Sequence, residues 1–259
     1  MNIDLLKMNG INLDQSLELL GDMDTYKDIL TEFLNGYDEK IGLIKKYRDE
    51  NDMPNYAIQV HSLKSDAKYL GMTELAEKAY EHELKSKENN SEFVNSDFMN
   101  LMVISEKYKN IAKECLNSDN ANSNESGDKN MNEKKVLIAD DSNIIRSIAK
   151  KMIGDAYLTV EATDGNEAIK VVEENQDTLI GMLLDLNMPN ANGFEVLNYL
   201  KNNNLFMKIP VVIITGDDSK ETIMNAFDFP IVDVLAKPFN ESDITRVLNN
   251  MTMNSSNNK

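Results

Sequence analysis

Residues 179–193, Leu-Ile-Gly-Met-Leu-Leu-Asp-Leu-Asn-Met-Pro-Asn-Ala-Asn-Gly, constrain the fold more than any other stretch. An apolar run ends abruptly on one carboxylate, Asp185. Polar turn residues and Pro189 follow, and a helix-like segment opens at Gly193. A strand that is apolar on both sides has to be buried on both faces, as in a parallel sheet covered by helices. Ligands of such sheets bind beyond the carboxyl ends of the strands, so Asp185 stands where chemistry is found.

The flanking sequence repeats the pattern. From Lys135 onward strand and helix alternate five times. The expected strands are 136–140, 157–161, 179–185, 211–215 and 231–236, and the expected helices lie near 143–153, 166–175, 194–203, 218–227 and 241–251. Five short βα units imply a parallel sheet with helices on both faces. The strand ends then gather Asp140, Asp141, Asp185, Thr215, Lys237 and Pro238 on one edge. Three converging carboxylates repel one another unless a cation lies among them, and hard oxygen donors with room for water suit Mg2+. A hydroxyl and an ammonium group are superfluous for binding a metal alone. They make sense where an anion joins it, so the set describes a phosphoryl-accepting site.

This half resembles the response-regulator receiver domains along its whole length. Thr215 and Lys237 follow Asp185 by 30 and 52 residues, as in that family. The resemblance implies Asp185 as phosphoacceptor. Asp141 and Asp185 would ligate Mg2+ directly, Asp140 mostly through water, and the backbone carbonyl of Asn187 would complete the set. Thr215 and Lys237 would bind the phosphoryl oxygens, the Lys237–Pro238 bond would be cis, and Gly216 would leave room for a donor. Receivers commonly carry an aromatic residue three positions before the lysine. Here that position is Val234, which puts activation by aromatic rotation in doubt.

The first half reads as helices. Asn12 is an N-cap and Gly21 a stop around Leu13, Leu17 and Leu20. Thr25 with Asp28 resembles a capping box that opens a long helix through Tyr47. Further helices are expected at 54–70, closed by Gly71, at 73–87 and at about 93–115. Amphipathic helices joined by short loops argue for an antiparallel bundle. On the 54–70 helix, Val60, Leu63, Ala67 and Leu70 should face inward, while His61, Lys64, Ser65 and Lys68 share a polar face. Two ammonium groups beside an imidazole disfavour its protonated form and would neutralise a phosphoryl group placed on the ring. His-Ser-Leu-Lys-Ser-Asp-Ala-Lys-Tyr-Leu-Gly, residues 61–71, is similar to the signature of histidine-containing phosphotransfer (HPt) domains. The resemblance runs over about residues 10–115. It implies a four-helix bundle, His61 as phosphoacceptor and Lys64 as its electrostatic partner. Ser65 stands where that family usually has glycine. The other histidine, His82, lies between two acids and reads as structural.

Residues 117–134 have almost no apolar content and read as a flexible linker, with a reach on the order of 23 Å. The expected organisation is therefore an all-α four-helix bundle at 1–116, the linker at 117–134, an α/β (βα)5 receiver at 135–252 and a disordered tail at 253–259. The chain carries 44 acidic against 27 basic residues, spread over both halves, so neither half offers the basic stripe that nucleic-acid binding needs. Cys115 is the only cysteine, which suits a reducing compartment. No apolar run approaches the roughly 18 residues of a membrane span. A cytoplasmic location follows as an expectation.

Both resemblances together imply a phosphorelay protein that exchanges phosphate reversibly between His61 and Asp185. Its expected partners are a sensor histidine kinase, other receivers or other HPt proteins. Thr163-Asp164-Gly165-Asn166 is a strand-to-helix turn, and no Gly-rich phosphate loop occurs elsewhere, so the chain should not act as an ATP-dependent kinase. A phosphorylation-switched adaptor and a phosphate sink are the alternatives. Oligomeric state and the direction of phosphate flow are not encoded in these motifs.

Overall fold

The computed structural model describes residues 3–117, 134–216 and 220–256. The chain divides into two compact units, residues 1–127 and 128–259. The segment expected as a linker lies, for residues 118–133, outside the described residues, and its first residue ends a helix.

The first unit is all-helical. Its described elements are α1 (Ile3–Met8), α2 (Leu13–Leu20), α3 (Met23–Asp49), α4 (Met53–Tyr69), α5 (Thr73–Lys87) and α6 (Ser91–Asn117). Helix α4 packs on α3 and α5, and α6 packs on the same two, which closes a four-helix bundle; α1 lies on α6, and α2 on α3 and α4. The core is built from the expected stripes. Tyr26, Ile29, Leu30 and Ile44 of α3 are fully buried, as are Val60, Ala67 and Leu70 around α4. Gly71 follows α4 with φ +67°, and a Cβ there would meet the Asn12 carbonyl oxygen at 2.4 Å, so glycine lets α2 close onto the end of α4.

Several element ends shift by one or two residues from expectation, and the last strand starts at Asp233 rather than at 231. Helix α3 begins at Met23 rather than Thr25, because Asp22 is the N-cap: its carboxylate accepts from the Thr25 backbone N–H at 2.7 Å. A carboxylate at that position also complements the helix dipole. Helix α1 is an addition. One and a half turns are too short to show periodicity, and it is held by Leu6, which is fully buried.

The second unit is a five-stranded parallel sheet in the order β2-β1-β3-β4-β5, formed by Lys135–Ala139, Leu158–Ala162, Leu179–Asp185, Val211–Thr215 and Asp233–Ala236. The helices are α7 (Asn143–Ile153), α8 (Gly165–Asn175), α9 (Gly193–Asn202), α10 (Lys220–Ala226) and α11 (Glu241–Ser256). Helices α7 and α11 pack together, as do α8 and α9. Alternate residues of the central strands serve the two layers. Leu137, Met182, Leu184 and Ile213 join the core formed with Val172 of α8 and Val196 and Leu200 of α9. Helix α11 continues to Ser256, so the start of the expected tail is helical and only 257–259 lie outside the described residues.

Candidate functional site

Parallel register brings the chemistry together. Ala139 pairs with Leu184, Asp185 with Ile214 and Thr215 with Ala236, so the strands end almost in line. The sequence order reverses between β1 and β3, which carry Asp140 and Asp185 at their ends; this is the switch point at which such sheets bind ligands. Gly193 opens α9 so close to the strand end that a Cβ there would lie 2.4 Å from the Asp185 carbonyl oxygen.

Asp140, Asp185 and Thr215 are buried, as is Lys237, while Asp141 is half-buried. The Lys237 ammonium lies 2.6 Å from Asp185 Oδ2 and 2.6 Å from Asp140 Oδ2. The backbone N–H of Ser142 donates to Asp140 Oδ1 (2.9 Å), and that of Asn187 to Asp185 Oδ1 (3.2 Å). The Lys237 backbone N–H donates to the Thr215 carbonyl at 2.8 Å, and the following peptide bond to Pro238 is cis. Carboxylate oxygens of Asp140, Asp141 and Asp185 lie within 4.8 Å of one another.

The buried charges perturb one another strongly. Burial, with the Asp185 carboxylate adding to it and Lys237 opposing it, pushes the Asp140 carboxyl up to about 6. Burial alone would lower the Lys237 ammonium, but Asp140 and Asp185 outweigh it and hold it well above its ordinary range. Among the described residues, the carboxylates of Asp140, Asp141 and Asp185 form a compact cluster of hard oxygen donors around one strand edge, with the Lys237 ammonium against two of them. Such a donor set fits a divalent cation of the Mg2+ kind.

Comparison with known proteins agrees with this geometry. Residues 136–249 match the family model of the response regulator receiver domain. Over 107 residues the chain is 33% identical to the chemotaxis protein CheY1 of Helicobacter pylori, covering 40% of this chain and 86% of that protein. The chain belongs to the response-regulator receiver family. Receiver similarity extends to the rice two-component response regulator ORR3, 28% identical over 122 residues, 47% of this chain and 92% of that protein. It also extends to the CAI-1 autoinducer sensor kinase/phosphatase CqsS of Vibrio cholerae, 30% identical over 112 residues, 42% of this chain and 16% of that protein. The receiver places the chain in two-component signalling, and among the described residues no helix is long and apolar enough to cross a membrane.

The helical unit holds a second cluster. His61, Lys64 and Ser65 are buried rather than forming an exposed polar face, whereas Lys68 is exposed. The residue missed from sequence is Glu83 on α5. His61 Nδ1 lies 2.8 Å from Glu83 Oε1, and the Lys64 ammonium lies 2.6 Å from Glu83 Oε2 and 3.3 Å from His61 Nδ1. Lys87 reaches Glu83 Oε1 at 2.8 Å. Burial alone would raise the Glu83 carboxyl, but the His61 hydrogen bond and the charges of His61 and Lys64 hold it well below the usual range. Burial lowers the Lys64 ammonium, with Glu83 opposing. A carboxylate at Nδ1 fixes the proton there and leaves the lone pair on Nε2. A signal for Glu83 did exist: Ala76, Ala79, Glu83 and Ser86 are spaced 3, 4 and 3 apart on the buried face of α5, where an acid needs a partner.

His82 is structural, as expected. It is fully buried, and its Nδ1 lies 2.7 Å from the Tyr56 hydroxyl and its Nε2 3.2 Å from Asp97, which ties α5 to α4 and α6. Val234 occupies β5 half-buried, and Ser65 is buried on α4.

Proposed function

We propose that the chain is a phosphorelay protein with an HPt bundle at about residues 1–116, a linker at 117–134 and a receiver at 135–252. It would exchange a phosphoryl group reversibly between His61 and Asp185. The observation that carries this reading is the position of the Lys237 ammonium, 2.6 Å from the carboxylates of both Asp185 and Asp140. That is where it can pass from a carboxylate to the oxygens of a phosphoryl group on Asp185.

The chemistry balances with the side chains present. In the forward direction an Asp185 carboxylate oxygen attacks phosphorus, a P–O bond forms and the bond from phosphorus to the donor nitrogen breaks. The bonding electrons return to His61 Nε2 as its lone pair. Glu83 keeps the other proton on Nδ1 throughout and stabilises the ring while it carries phosphate. Lys64 adds positive charge beside the ring, and Lys237 and the Thr215 hydroxyl serve the transferred oxygens at the receiver. Asp140, Asp141, Asp185 and the Asn187 carbonyl would hold Mg2+. When bound, it supplies charge neutralisation of the phosphoryl oxygens. Sensor kinases, other receivers or other HPt proteins are the proposed partners, in the cytoplasm.

Purified protein given an acyl phosphate should gain phosphoryl label that requires Mg2+, with a base-labile fraction on Asp185. Asp185→Asn or chelation should abolish it. Uptake that survives Asp185→Asn, or is indifferent to chelation, would contradict the reading. The proposed absence of kinase activity predicts no label from ATP with the purified chain alone.

A further inference from the structure

We infer that Arg146 and Glu161 form a positioning pair that aims the Asp140–Asp141 turn at the divalent cation; the inference rests on the proposed metal site. The β1–β2 ladder ends at Ala139 paired with Ala162, leaving the Asp140 carbonyl one residue beyond it. The Arg146 Nη1 donates to that carbonyl at 2.8 Å, and its Nε donates to Glu161 Oε2 on β2 at 3.1 Å. The Arg146 side chain is only 11% exposed, while that of Glu161 is 35% exposed.

The turn is also held at other points. The Asp140 N–H donates to the Ala162 carbonyl (3.1 Å), the Ser142 N–H to Asp140 Oδ1 (2.9 Å), and the Ser142 hydroxyl accepts from the Ile145 N–H (3.3 Å). None of these contacts fixes the plane of the peptide between Asp140 and Asp141. The Arg146 bond does, because the carbonyl it holds belongs to that peptide. The direction of the Asp141 carboxylate depends on that plane, and Asp141 is the least buried of the three acids.

Pairing with Glu161 has a second consequence. It neutralises the guanidinium, so the carbonyl is held without a net positive charge that would repel the cation. A lysine at 146 could not span both partners, since the two bonds use the fixed fork of the guanidinium. Lys150, which lies 3.2 Å from the other Glu161 oxygen and is mostly exposed, touches neither acid of the turn and serves as a control.

The test is calorimetric titration of Mg2+ into the full chain, well below the thermal midpoint of each variant. Arg146→Lys is expected to raise Kd about tenfold, the range typical of groups that orient metal ligands. Glu161→Gln should also weaken binding. The double variant should lose no more than Arg146→Lys alone, because the pair acts as one unit. Lys150→Ala should leave Kd unchanged. If Arg146→Lys lowers the thermal midpoint but leaves Kd as in the wild type, the pair is only structural and the inference is overturned. If the wild-type chain binds no Mg2+, the proposed metal site fails and this inference with it.

Discussion

Lys237 shares its burial with Asp140 and Asp185, and its ammonium is 2.6 Å from both carboxylates. Replacing it with methionine therefore strands two like charges without an adjacent counter-charge. Breaking a buried ion pair in this way costs about 3–5 kcal/mol, which urea unfolding of metal-free Lys237→Met should show. A loss below about 1 kcal/mol would mean that water already screens the cluster. Glu83 gives a pH signature of opposite origin. Its folded-state carboxyl lies well below the ordinary glutamate range, so its contribution to stability is complete above about pH 5 and is lost as pH falls. The urea midpoint of the wild type should drop more steeply between about pH 5 and pH 3 than that of Glu83→Gln. Equal slopes would show that the carboxyl is not held down by His61 and Lys64.

Among the elements, the junction of β3 with α9 carries the site. Asn192 and Glu195 form a capping box that starts α9, and Gly193 allows the helix to begin against the backbone of Asp185. Gly193→Ala would place a methyl group 2.4 Å from the Asp185 carbonyl oxygen. Backbone there cannot yield as a flexible side chain can, so the variant should displace the strand end. We expect slower Asp185 phosphorylation and a lower thermal midpoint, read by intact mass and by calorimetry. Wild-type phosphorylation kinetics would show that the turn has slack. Much of this architecture was legible in the sequence, because strands buried on both faces read as unbroken apolar runs and because a parallel sheet fixes where their ends lie. What escaped was short or long-range. Helix α1 has too few residues for a period, Asp22 outcompetes Thr25 as a cap, and Glu83 and Arg146 act on residues from other elements. Pairing across helices leaves little trace in local spacing.

In the whole molecule, two compact units each carry one candidate phosphoacceptor, buried beside lysine and acid: His61 with Lys64 and Glu83, and Asp185 with Lys237 and Asp140. The receiver half is identified by its family, whereas the role of the helical half rests on the His61 cluster. The central claim is thus exchange between the two. The most direct measurement locates phosphate after the full chain receives an acyl phosphate with Mg2+. Acid and base lability separate phosphohistidine from phosphoaspartate in the wild type, His61→Ala and Asp185→Ala. The account predicts label on both residues in the wild type, on Asp185 alone in His61→Ala, and on neither in Asp185→Ala. Label confined to Asp185 in the wild type, or appearing on His61 without Asp185, would contradict it.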